Sequence, residues 1–146
     1  MSLAEWVKFG WLRTHAPTQT EIHELLAVAD RDIHDAQTRG LSTDWQFGIA
    51  YNAALQLARA ALLAAGYDTQ KGDSHHFRAI DSLQFTLRFD GPSIAMFQTF
   101  RKKRSAGVYE ATGMISDADA KEMLALAKDL RARVQNYLNK NHPDLA

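Results

Sequence analysis

The chain contains no cysteine, which removes disulfides, thiolate metal sites and thiol nucleophiles from consideration. Net charge is missing too, because seventeen basic residues balance seventeen acidic ones. A protein that coats nucleic acid through its overall charge is thereby excluded, and electrostatic recognition must come from local patches. No run approaches the roughly 18 apolar residues that a membrane span needs. The opening stretch MSLAEWVKFGWLRTH carries cations and lacks the unbroken apolar centre of a signal peptide. These absences together lead to the expectation of a soluble, cytoplasmic protein with no membrane contact. Glycine-rich phosphate loops, a GxSxG elbow and an HExxH pair are also lacking, so no cofactor and no metal are expected.

Only three prolines occur, all outside the apolar repeats, and those repeats have the period of helices. Ile22, Leu25, Leu26, Ala29, Ile33 and Ala36 form one stripe. Thr18 or Thr20 can cap its start and Gly40 follows its end. The next segment, opened by Ser42 or Thr43, carries Phe47, Tyr51, Leu55, Ala58 and Leu62 on one side. Its other side holds Ala50, Ala53, Leu57, Ala60 and Ala64, and a helix apolar on two faces belongs at the centre of a bundle. Phe77, Ile80, Leu83 and Leu87 mark a third helix, with Asp73 or Ser74 at its start. Ile94, Phe97, Phe100 and Arg104 mark a fourth, with Pro92 in its first turn. Ser116 and Asp119 resemble a capping box before a long last helix bearing Ala120, Leu124, Ala127, Val134, Tyr137 and Leu138.

Leu3, Trp6, Val7 and Trp11 suit a short leading helix. No strand alternation stands out. The expected fold is all-α: an antiparallel, up-and-down helical bundle of about five main helices plus the short N-terminal one. A length of 146 residues suits a single domain, with its core over about 18–140.

The candidate chemistry gathers in FRKKRSAGVYEATG, residues 100–113, where four cations stand with no acid between them. Arg101, Lys103, Arg104 and Ser105 are the candidate binding residues. Cations in the last turns of a helix also complement its C-terminal partial charge, so the same cluster has a purely structural reading. A partly buried Arg104 would then take a carboxylate partner, with Asp30, Asp32, Asp35 and Asp81 as candidates. His23 and His34 lie 11 residues apart, about 16 Å along a helix, and cannot share one metal. Asp73, His75 and His76 read as a solvated helix start, because adjacent helical side chains diverge by about 100°. Trp6, Trp11 and Trp45 are expected to pack in the core or at a dimer interface, not to stack on bases.

The order of these segments, with AYNAALQLARAALLAAGY and RKKRSAGVYE as its most specific pieces, resembles a HEPN domain of the small actinobacterial type over about residues 18–140. The resemblance implies a helical bundle that pairs as a homodimer, and in active members a metal-independent ribonuclease of toxin–antitoxin or defence systems. It also implies an antitoxin or nucleotidyltransferase as partner. The family motif runs arginine, a polar residue, then histidine. Here Arg104 takes the arginine place, Ser105 the polar place, and Tyr109 stands where the histidine belongs. A tyrosine of ordinary pKa, about 10, is a poor base for a 2′-hydroxyl. The expectation is therefore a non-catalytic or weakly active relative that binds RNA, nucleotide or a partner protein through its basic helix end. Two alternatives remain: an RNA endonuclease using Arg104 and Tyr109, and a purely structural interaction module.

Overall fold

The computed structural model describes residues 1–72, 74–109 and 115–146, and the side chains of all of these except 106–109. The order of elements is α1 (Leu3–Lys8), β1 (Leu12–Thr14), α2 (Gln19–Asp35), α3 (Thr43–Ala64), β2 (Tyr67–Thr69), α4 (His75–Asp81), α5 (Leu83–Thr86), α6 (Gly91–Tyr109) and α7 (Asp117–Asn141). The protein is an all-α helical bundle, as its apolar periods require.

Local chemistry sets the helix starts. Thr18 accepts from the Glu21 amide at 3.2 Å while the Glu21 carboxylate accepts from the Thr18 amide at 2.8 Å, a complete capping box. Ser42 caps α3 through the Trp45 amide. Ser116 and Asp119 make the second capping box, with aspartate in the place usual for glutamate. Ser74 precedes α4 without a side-chain cap, and Asp73 lies outside the described residues. The expected third helix is two short ones, α4 and α5, meeting at the buried Ser82, whose hydroxyl donates to the Ala79 carbonyl at 2.6 Å. A serine that satisfies itself on the preceding turn competes with the helix ladder there.

α3 is the axis of the molecule. Its buried side chains occur on every side, and α2 and α7 are its main neighbours. Ala50, Ala53, Ala54, Ala58, Ala60 and Ala61 all have no accessible surface, so neighbouring helices approach it closely. Contrary to the expectation from apolar runs, α3 is long and apolar enough to cross a membrane, but 72% of the relevant window is buried within the bundle. Its apolarity is that of a core helix.

One feature is absent from the sequence expectations. β1 and β2 pair antiparallel, with Leu12 opposite Thr69, Arg13 opposite Asp68 and Thr14 opposite Tyr67. Strands of three residues are too short to reveal a period of two. The ribbon ties the chain after α1 to the end of α3, where Gly66 turns at φ +99°. Beneath α1 lies a satellite cluster of Trp6, Leu12 and Leu62, set apart from the main core.

Candidate functional site

α6 places the basic stretch. Asp90 accepts from the Ser93 amide at 2.8 Å and fixes the first turn, so Phe97, Phe100 and Arg104 fall on one face. Phe97 and Phe100 are buried, edge-on to Tyr51 and Phe47 of α3 at 6.1 and 5.7 Å. Arg104 continues that face one turn further and lies against α3. Its Nε is 3.2 Å from where a Cβ on Gly48 would sit. Glycine inside a helix costs roughly 0.5–1 kcal/mol relative to alanine, and here it opens a notch for a guanidinium.

A cleft of about 280 Å³ lies beside this notch. Tyr51, Asn52, Leu55 and Gln56 of α3 line it, with His76 of α4 and Arg101, Arg104 and Ser105 of α6. No described residue of that lining is a carboxylate. Arg101 is oriented by neutral groups: its Nε donates to Gln98 Oε1 at 2.7 Å, and its guanidinium lies 5.6 Å from the Phe77 ring centre. Gln98 in turn donates to the Phe77 carbonyl at 3.0 Å, tying α6 to α4.

The four acids considered as partners for Arg104 are engaged or placed elsewhere. Asp30 accepts from Arg131 at 2.7 Å, and Asp35 lies 3.5 Å from His34. Asp81 is half-buried on α4, and desolvation raises its pKa despite Arg78. Asp32 is buried and accepts from Arg31 at 3.0 Å and from Asn52 at 2.6 Å. That last carboxylate anchors a chain of amides, since Asn52 accepts from Gln56 at 3.3 Å and Gln56 from Arg59 at 3.2 Å. Arg104 has no ion-pair partner among the described residues.

His76 shares the cleft with these cations. Burial holds its pKa below the ordinary 6.5, and His75, Arg101, Arg104 and Arg59 push it further down. Its ring is neutral at pH 7. The Tyr51 hydroxyl lies 3.4 Å from His76 Nδ1, and with the hydroxyl as donor the ring proton sits on Nε2. Burial raises the Tyr51 pKa to about 12, against the lowering by Arg101 and Arg104, so that hydroxyl stays protonated. The arrangement combines two guanidinium groups, a neutral imidazole, a phenol and two amides, which is donor-rich and suited to a phosphate or other oxyanion.

The sequence candidates are thus divided. Arg101, Arg104 and Ser105 line one cleft. Lys103 points away and pairs with Asp119 at 2.9 Å, at the start of α7. The Tyr109 side chain lies outside the described residues. His76, Asn52, Gln56 and Gly48 were not among the candidates. A lone glycine within an otherwise strong helix pattern was the available clue to Gly48. His76, expected with Asp73 and His75 at a solvated helix start, is instead half-buried in the cleft, because the packing of α4 against α6 brings it to the arginines.

The other histidines do not gather. His23 contacts the Ala146 carbonyl at 2.9 Å and His34 stays with Asp35. Among the described residues no group of three potential ligands could hold a metal ion. Trp6 is buried against Phe85, and Arg78 lies 3.7 Å over the half-buried Trp11. Trp45 is 64% exposed, outside the core of the bundle. Comparison with protein-family models and with curated proteins finds no match for this chain.

Proposed function

We propose that the protein is a HEPN-like, non-catalytic or weakly active cytoplasmic relative of the toxin and defence ribonucleases, acting as a homodimer that binds RNA or nucleotide phosphate. The observation that carries this reading is Arg104: a half-buried guanidinium, seated on the Gly48 notch beside Arg101, with no carboxylate among the described lining residues. A partly desolvated cation without an internal counter-ion favours an external anion. Fluorescence anisotropy with labelled RNA and nucleotides, repeated across a salt series, tests it. Affinity that falls with salt and drops at least tenfold in Arg104→Ala is the expected result. Equal affinity in wild type and Arg104→Ala would sink it.

A second reading, the metal-independent endonuclease, gains from His76. Neutral histidine is suited to accept the 2′-hydroxyl proton as that oxygen attacks phosphorus and the 5′-oxygen leaves with a proton from solvent water, while Arg101 and Arg104 stabilise the added negative charge. This role falls to His76 in place of Tyr109, which stands where the family motif has histidine. RNA cleavage in the presence of chelator, lost in both His76→Gln and Arg104→Ala, would establish it. An intact substrate with the wild-type protein would leave the binding reading alone.

A further inference from the structure

The cleft does not end at His76. A second hollow of about 500 Å³ shares Leu55, Gln56 and His76 with it and runs on toward the β ribbon. Its cations are Arg13, Arg59 and Lys71, joined by His75, and its one described acid is Asp68. Asp68 is already neutralised: Oδ2 accepts from Arg13 at 2.7 Å across the ribbon, and Oδ1 accepts from the Thr69 amide at 2.8 Å. Arg59 donates once, to the neutral Gln56, and has no ion pair among the described residues. Lys71 is exposed and equally without an ion pair among them, and the His75 ring packs edge-on to His76 at 4.3 Å.

Gly48, Asn52, Gln56 and Arg59 follow one another at three- and four-residue steps along α3, so they form a row on one helix face. Eleven residues separate the Gly48 level, where Arg104 sits, from Arg59, which is about 16 Å at 1.5 Å per residue. Phosphates of a stacked strand advance roughly 3.4 Å each, so about four or five nucleotides cover that distance. The phosphates of a nucleoside triphosphate share bridging oxygens and fall well short of it.

Resting on the reading that Arg101 and Arg104 hold a phosphate, we infer that Arg59, Lys71 and His75 form a second phosphate subsite, and that the ligand is a single-stranded oligonucleotide laid along α3. The strand enters at one arginine pair and leaves over the β ribbon. The amide row of Asn52 and Gln56 faces the stretch between.

The experiment uses fluorescein-labelled 2′-O-methyl-oligouridylates of two and six nucleotides, which cannot transfer to their 2′-oxygens. Wild type is expected to bind the hexamer at least tenfold tighter than the dimer. In Arg59→Gln/Lys71→Gln that length advantage disappears, and the hexamer's log–log salt slope shrinks by about 1.4, at roughly 0.7 per phosphate contact. Arg59→Lys with native Lys71 retains most of the advantage and guards against a folding defect. Arg104→Gln weakens both probes. A double variant that binds the hexamer within twofold of wild type, or that weakens both probes equally, overturns the second subsite and leaves the first standing. Wild type that binds neither probe removes both.

Discussion

Gly48→Ala separates stability from binding in one substitution. The position is buried in the interior of α3, where alanine is favoured over glycine by roughly 0.5–1 kcal/mol. The atoms nearest to the new methyl would be those of Arg104, at 3.2 Å from Nε, 3.6 Å from Cζ and 3.7 Å from Cδ. Arg104 is a flexible side chain that can withdraw by a few tenths of an ångström, so the helix keeps most of its gain. At roughly 2–4 °C per kcal/mol for a chain of this size, the melting temperature should stay level or rise by up to about 4 °C. That withdrawal nevertheless shifts the guanidinium on its seat, and a few tenths of an ångström use up most of the roughly 0.5 Å that recognition geometry tolerates. Ligand affinity should fall about fivefold, equivalent to about 1 kcal/mol. Differential scanning fluorimetry and RNA anisotropy on the same preparation read both quantities. Unchanged affinity with raised stability would refute the claim that Gly48 seats Arg104 for binding, while a melting temperature lowered by more than a few degrees would show that the notch is structural.

Four further outcomes are expected. Because the folded pKa of His76 lies below 6.5, the unfolded chain takes up its proton first. Its contribution to stability is complete above pH 6.5 and is lost as pH falls through the folded value, a slope that should flatten in His76→Gln denaturant titrations. A bound phosphate opposes that depression, so affinity should increase as pH falls below 6.5, less steeply in His76→Gln. His75 and the three arginines Arg59, Arg101 and Arg104 face the same ring. Asp119→Ala removes both a capping box and the Lys103 pair, so urea unfolding should report a loss of roughly 1–2 kcal/mol, against less than about 1 kcal/mol for Lys103→Ala. Phe97→Ala opens a cavity in a site with no accessible surface, and a loss of about 3–5 kcal/mol is expected by the same assay.

The helices were legible because their causes are local. The Ile22–Ala36 stripe, the alanine-lined second face of α3 and the Thr18 and Ser116 capping residues are all contained within one or two turns of chain. The β ribbon escaped notice because Leu12 and Thr69 lie 57 residues apart and neither strand is long enough to show a period. The break at Ser82 was missed because the apolar spacing runs straight through it.

For the site, the sequence determined where the cations are concentrated and which face of α6 holds Phe97, Phe100 and Arg104. Only the tertiary structure decided which of those cations share a cleft. It drew Lys103 to Asp119, left Arg104 without an acid among the described residues, and set His76 beside Arg101 across two helices. The physical reason is that a charge acts through space on whatever lies within a few ångströms. Helix packing, not spacing along the chain, sets those neighbours.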